Sequence, residues 1–443
     1  MATIAPTTAA RNRTLDDALL EARESYVARR PRSKAQHEAA RAVMPGGNTR
    51  TVLFYGPFPI CAAKGEGAWL TDIDGHRYLN LLGEYTAGIY GHSHPVIRAA
   101  IDAALDDGIN YGAHNRMEAE LAGIVCARFP SIELVRFTNS GTEANLMALS
   151  TARHATGRAK IMVFKGGYHG GLLYFGGGGI PINAPFPFVL AGYNDVEGTR
   201  AIIRREAAGL AAILVEPMMG SAGCIPAERG FLAMVREEST RAGTVLIFDE
   251  VMTSRFSAGG AQRLDGITPD MTTLGKYIGG GMSFGAFGGR RDLMAIYDPT
   301  AAGAMPHAGT FNNNVLSMAA GIAGMAKVFT PDAAAALHER GEALRARLNA
   351  IFKDAGVTLQ MTGRSSLMTL HAVTAPVRSV DDLAGANDAA KELVFLDLLE
   401  RGYYLARRGF IALSLMVGDA DLDGFVAAVK DIVAERADVL PRR

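Results

Sequence analysis

From residue 75 to residue 328, short apolar runs alternate with stretches of helical periodicity. A mostly parallel sheet with helices on both faces requires that pattern, because each strand is buried on both sides and needs a crossover before the next. The runs 134–138, 160–164, 211–215 and 245–248 are the strand candidates. Ahead of this region, residues up to about Ala42 are polar and helical, with Leu15, Ala18, Leu19 and Ala22 on one stripe. Pro45, Gly46 and Gly47 then break the pattern. This stretch reads as an N-terminal arm. After Pro331 the periodicity lengthens into Ala-, Leu- and Arg-rich helices such as 333–352, with strand-like pieces including 409–415. The expected architecture is α/β in three parts. Residues 1–74 form an arm and part of a small domain, 75–328 a large domain around a mostly parallel sheet, and 329–443 a smaller α+β domain. No segment repeats with a period of 20 to 50 residues, which argues against solenoids and propellers. Gly176 to Gly179 reads as a mobile loop rather than a phosphate cradle.

Composition narrows the function. A chain of 443 residues exceeds the roughly 250 to 300 at which one core stops growing, so it can enclose a cofactor between two packed parts. Lysine plus arginine and aspartate plus glutamate both number 45, leaving no net field to draw in nucleic acid or an anionic membrane. A small-molecule partner is expected. Cys61, Cys126 and Cys224 form neither a C-x-x-C pair nor an even disulfide framework, as in a reduced compartment. The first fifteen residues carry Arg11 and Arg13 without an apolar signal segment, and no window approaches the ~18 apolar residues of a membrane span. A cytoplasmic location is the expectation.

Several short segments carry chemistry. Asp249 and Glu250 follow the strand candidate 245–248 and so lie at the C-terminal edge of a parallel sheet, where open α/β folds bind ligands. Taken alone, Asp249 is more often a helix cap or a structural ion-pair partner than a catalytic group. Lys276 follows Leu274 and Gly275 and precedes Gly279, Gly280 and Gly281, so one lysine sits in unusually compact backbone. The P-loop spacing is absent, because Tyr277 follows Lys276 and no glycine stands five residues before Gly275. A lysine that forms a Schiff base with a pyridoxal cofactor needs a carboxylate at the pyridinium nitrogen, since the protonated ring is the electron sink. Asp249 and Lys276 are candidates for that pair. A phosphate anchor is available in TNSGTEAN, residues 138–145, at a strand-to-helix junction. Gly141 and Thr142 would offer N–H groups, and Ser140 and Thr142 hydroxyls, at a positive helix end. In Gly166-Gly167-Tyr168-His169-Gly170, Tyr168 could stack on a flat ring or be an ordinary buried tyrosine. His169 has no second His or Cys at metal spacing, so no metal site is expected.

The order TNSGTEAN, GGYHGG, VEP, FDEV, LGKYIGGG and GTFNNN resembles the class III, fold type I aminotransferases over nearly the whole chain. Within that class it is most similar to the β-amino-acid, or β-phenylalanine, aminotransferases, through residues 44–50, 84–88 and 274–289. The resemblance implies a pyridoxal 5'-phosphate enzyme of the fold type I architecture that moves an amino group from a β-amino acid to an α-keto acid. It implies that Lys276 carries the cofactor, Asp249 pairs with the ring nitrogen, Tyr168 stacks on one ring face and Val251 packs on the other. Ser140, Gly141 and Thr142 would take the phosphate, Glu216 would sit close to the cofactor, and Thr310 would reach the phosphate across a homodimer interface. Arg50 and Arg408 match the two substrate-carboxylate arginines. Tyr111 and Tyr174 are bulkier than the subfamily pattern, and Arg407 adds a charge beside Arg408, so any of the three could alter the pocket. Alternatives are an enzyme like glutamate-1-semialdehyde aminomutase, an ω-amino acid or amine transaminase of the same class, a dinucleotide-binding protein lacking the G-x-G-x-x-G fingerprint, and a cofactor binder without catalysis.

Overall fold

The computed structural model describes residues 14–443. The reading that rests on Arg11 and Arg13 therefore lies outside the described residues. The central sheet has seven strands in the order Leu134–Thr138, Gly285–Gly289, Met271–Gly275, Val245–Asp249, Leu210–Val215, Lys160–Phe164 and Phe188–Ala191. Neighbours pair in parallel except at Gly285–Gly289, which runs antiparallel to both of its partners. Side-chain alternation divides the strands between two cores. Met162, Phe164, Ile213, Val215, Leu246 and Phe248 pack on one face, and Ile161, Val163, Ala212, Leu214, Val245 and Ile247 on the other.

The candidate strands at 134–138 and 160–164 form with those bounds, 211–215 starts one residue earlier, and 245–248 extends to include Asp249. Three strands escape an apolar-run search. Met271–Gly275 contains two threonines, Phe188–Ala191 is only four residues long, and Gly285–Gly289 is mostly glycine. The glycines are there because neighbours come too close for a side chain. A Cβ on Gly285 would lie 2.2 Å from the Ser140 carbonyl oxygen, and one on Gly289 2.4 Å from that of Asp270.

The N-terminal stretch forms two helices, Leu15–Arg29 and Pro31–Arg41. Proline cannot continue the first helix, and it starts the second. Ala18, Leu19, Ala22 and Tyr26 are the buried stripe, which packs against Asp388–Glu400. Residues from both ends of the chain share a four-stranded sheet of Ala62–Glu66, Trp69–Asp72, Arg77–Asn80 and Tyr403–Tyr404. A three-stranded antiparallel sheet follows, Gln360–Arg364, Leu367–His371 and Phe410–Ala412. Only the middle of 409–415 is thus a strand, while the helix expected at 333–352 runs Pro331–Asp354, capped by the Thr330 hydroxyl. Gly176–Gly178 makes a short 3-10 turn.

Candidate active site

Strand order decides which side chains meet. Asp249 ends one strand, Lys276 directly follows the adjacent one, Glu216 follows Leu210–Val215, and Ser140 lies two residues beyond Leu134–Thr138. Their C-terminal ends open onto a cavity of about 520 Å³, lined by Ser140, Gly141, Thr142, Tyr168, Glu216, Asp249, Val251 and Lys276, with Arg50 at its edge. One wall is a carboxylate held in a fixed orientation. Asp249 Oδ2 accepts from Asn145 Nδ2 at 2.8 Å and lies 2.8 Å from His169 Nδ1, while Oδ1 accepts the Val251 N–H at 3.0 Å. Asn145 is itself locked, donating to the His169 carbonyl at 3.0 Å and accepting from the Thr273 hydroxyl at 2.7 Å. These three contacts hold the buried Asp249 carboxylate in one orientation. Glu250, by contrast, turns away and accepts the Ala261 and Gln262 N–H groups at 2.6 and 3.0 Å.

Lys276 adopts φ 57°, a left-handed backbone that a non-glycine residue rarely holds. Burial lowers its ammonium to about pKa 8, opposed by attraction to Asp249 and Glu216 and assisted by repulsion from Arg50 and Arg408. About a tenth of the amine is then neutral and nucleophilic at pH 7, far more than for a lysine titrating at about 10.4. Glu216 accepts the Tyr168 and Gly220 N–H groups, each at 3.0 Å. Burial pushes its carboxyl up to about 7, with His169 pulling it down and Asp249 pushing it further up.

At the opposite end, helix Gly141–Thr156 points its N-terminus into the cavity. The Ser140 hydroxyl caps it by accepting from the Glu143 N–H at 3.2 Å, and the Thr142 hydroxyl accepts from the Gly171 N–H at 3.3 Å. Both hydroxyls retain a proton to donate to an anion. The space is a cradle that side chains would fill: a Cβ on Gly170 would lie 2.0 Å from Thr142 Oγ1, and one on Gly141 2.9 Å from both Val251 methyls. Tyr168 is 42% exposed, so its ring is not a buried core tyrosine. An anion seat at one end, a carboxylate at the other and an open aromatic face between them fit a flat, protonated ring bearing a phosphate.

Arg50 and Arg408 approach the ring of Tyr85 to 5.5 and 5.3 Å. Arg408 Nη1 also donates to the Ser221 carbonyl at 3.1 Å and hydroxyl at 3.2 Å. Arg407 is paired with Glu392, which also binds Arg23 at 2.7 Å, and it lines with Tyr85 and Arg408 a cavity of about 200 Å³ separate from that of Lys276. The charge beside Arg408 thus already has a carboxylate partner in this chain. Tyr111 donates to the Asp107 carbonyl at 2.7 Å and lines a separate cavity of about 700 Å³ together with Gly309 and Asn312. Tyr174 packs edge-on against Tyr168 at 5.7 Å, so it borders the aromatic wall without lining the Lys276 cavity. Thr310 is exposed and does not line that cavity either, although the neighbouring Asn312 accepts from Asn139 at 3.0 Å.

The model of the class III aminotransferases matches residues 54–175 and 182–433. The chain belongs to that family. A β-phenylalanine transaminase of Variovorax paradoxus is 54% identical over 428 residues, 97% of this chain and 98% of that one. A solved β-phenylalanine aminotransferase structure from the same organism superposes with a TM-score of 0.95 at 54% identity, covering 97% of this chain and 100% of that one. A solved transaminase with PLP bound is 33% identical, with a TM-score of 0.84 over 92% of this chain and 98% of that one. A glutamate-1-semialdehyde 2,1-aminomutase of Heliobacterium modesticaldum is 37% identical over 430 residues, 92% of this chain and 98% of that one. This class III aminotransferase is a pyridoxal 5'-phosphate enzyme of fold type I, acting on small-molecule amino donors and keto-acid acceptors. Among its described residues no helix is long and apolar enough to cross a membrane.

Sequence reasoning missed four residues of this aminotransferase's site: Asn145, Thr273, Tyr85 and, as a partner of Asp249, His169. Asn145 was legible in principle, one helical turn beyond Gly141 and Thr142 on the same face. The contacts of Thr273 and Tyr85 were not legible, because only strand register brings Thr273 to Asn145 and only the chain's return brings Tyr85 to the two arginines.

Proposed function

We propose that this aminotransferase moves the amino group of an aryl β-amino acid, such as β-phenylalanine, to an α-keto acid, 2-oxoglutarate or pyruvate, by a ping-pong sequence. The observation that carries the substrate class is the convergence of Arg50 and Arg408 on Tyr85 beside the Lys276 cavity. A β-amino acid and an α-keto acid place their carboxylates at different distances from the reacting carbon. One cavity that serves both benefits from two guanidinium groups at different reach, each able to grip a carboxylate bidentately. The 54% identity to a β-phenylalanine transaminase supports the same reading.

When bound, the cofactor would supply the electron sink that makes the proton on the substrate's amine-bearing carbon, the β-carbon of a β-amino acid, removable. Lys276 is assigned as its covalent anchor and, once displaced by the donor amine, as the base and acid that moves the substrate proton. Its amine pKa of about 8 suits both roles. Asp249, oriented by Asn145 and His169, is assigned to hold the ring nitrogen protonated. Ser140, Gly141 and Thr142 are assigned to the phosphate, Tyr168 and Val251 to the ring faces, and Glu216 to support beside them. Thr310 is assigned to a partner subunit's phosphate in a homodimer, in keeping with its exposure and with its not lining this chain's own cavity. The division at about residues 75 and 329 belongs to the same proposal, as does a cytoplasmic location, supported by three unpaired cysteines.

The test is the absorbance of the holoenzyme as 3-amino-3-phenylpropanoate and then 2-oxoglutarate or pyruvate are added. Loss of the visible band and its return with the keto acid supports the proposal. A visible band that ignores β-amino acids and responds to a simple amine favours the ω-amine alternative. Isomerisation of an amino aldehyde without external keto acid favours the aminomutase.

A further inference from the structure

Tyr85 lies in a backbone that few side chains tolerate. Gly83, Glu84, Tyr85 and Thr86 all have positive φ, at 52°, 48°, 53° and 83°, so four successive residues form one left-handed turn. L-residues avoid that conformation unless the surroundings fix it. Here they do: the Asn80 side chain accepts the Leu82 and Gly83 N–H groups at 3.1 Å and donates to Glu84 Oε1, while the Gly88 N–H closes the turn on the Gly83 carbonyl at 3.0 Å. A Cβ on Gly83 would lie 2.4 Å from the Ala412 carbonyl, so the turn is pressed against the strand that follows Arg408.

The side chain delivered by this turn touches both arginine segments. Its hydroxyl donates to the Val52 carbonyl at 3.0 Å, inside the Thr51–Leu53 turn that directly follows Arg50. Its ring stacks on Phe410, two residues after Arg408, at 5.6 Å and 15°. Each guanidinium sits against the ring at cation–π distance. Burial raises the phenol's pKa, so it stays neutral and keeps its donor proton. Among the described residues no carboxylate pairs with either guanidinium, so the two cations face only neutral rings, Tyr85 for both and Phe410 at 5.5 Å for Arg408 as well, and the counter-charge is left for a ligand. Ser221 contacts only Arg408 of the two.

We propose that Tyr85 is a positioning residue common to both half-reactions, seating Arg50 and Arg408 against its ring, and that Ser221 tunes Arg408 alone. The proposal rests on the reading that these arginines receive substrate carboxylates. It predicts a coupled defect: one substitution at Tyr85 weakens ligands of both arginines, and one at Ser221 weakens ligands of Arg408 only.

Dead-end carboxylates test this without depending on which amine is turned over. Inhibition constants for 3-phenylpropanoate and for glutarate are measured on holoenzyme of wild type, Tyr85→Leu, Tyr85→Phe and Ser221→Ala, with the visible cofactor band as the check of an intact site. In Tyr85→Leu both constants should rise about ten-fold, the scale of losing a desolvated cation–π contact. Tyr85→Phe keeps the ring and should hold both within about three-fold. Ser221→Ala should raise the glutarate constant about three-fold, for one hydrogen bond, and leave 3-phenylpropanoate unchanged. Unchanged constants in Tyr85→Leu, a rise for one ligand only, or failure of wild type to bind either carboxylate would overturn the proposal. If Tyr85→Leu does not fold, the Ser221→Ala contrast decides, and equal effects on both ligands would refute it. Wild type that binds both carboxylates but turns over only amines would sink the β-amino-acid reading and leave Tyr85 in place.

Discussion

Replacing Asp249 by Asn changes one oxygen to an amide and removes one charge, and the structure sets what that costs. Asp249 Oδ2 faces Asn145 Nδ2 at 2.8 Å and His169 Nδ1 at 2.8 Å, and Oδ1 faces the Val251 N–H at 3.0 Å. All three neighbours meet the carboxylate through nitrogen. An asparagine keeps one acceptor, so in either orientation its NH2 confronts at least one N–H. In a site this buried, an opposed donor costs about 1–3 kcal/mol. The charge itself matters more for reactivity: a hydrogen bond to an ionised partner contributes about 1.5–3 kcal/mol, and its loss also lets the cofactor ring deprotonate. Together these terms predict a fall in the donor half-reaction of at least about 10²-fold, at 1.4 kcal/mol per ten-fold. The assay is single-turnover loss of the visible band on mixing holoenzyme with 3-amino-3-phenylpropanoate, with cofactor content measured on the same sample. A rate within ten-fold of wild type at full cofactor occupancy would refute the role given to Asp249.

Lys276→Ala should abolish multiple turnover, and a variant that still cycles donor and acceptor would displace Lys276 from the mechanism. Burial lowers the Lys276 ammonium to about 8. The rate at which apoenzyme takes up cofactor should therefore rise with pH up to about 8 and flatten above it, whereas a continued rise toward the ordinary lysine range of about 10.4 would contradict the burial argument. Gly170→Ala puts a Cβ 2.0 Å from Thr142 Oγ1 at φ 121°, so cofactor affinity should fall by at least about ten-fold, read by equilibrium dialysis. Arg407→Ala should lower thermal stability by breaking the Glu392 pair while leaving the acceptor KM unchanged, and Arg408→Ala should do the reverse.

Local pattern and composition carried much of this protein. The strands at 211–215 and 245–248 were legible because a strand buried on both faces must be continuously apolar. Lys276, Asp249 and the Ser140–Thr142 turn were legible because their neighbours in sequence, glycines and strand ends, already specify close backbone approach and a helix N-terminus. The glycine-rich strand Gly285–Gly289 was not legible. Its composition answers to the Ser140 and Asp270 carbonyls pressed against it, which are distant in sequence. Arg407 and Arg408 are adjacent in sequence and equal in charge, yet Glu392 holds one and Ser221 with Tyr85 holds the other. Sequence by itself thus determined the chemistry offered at each strand end. Tertiary structure alone decided which of those groups face one another, because that depends on strand order and on where the chain returns.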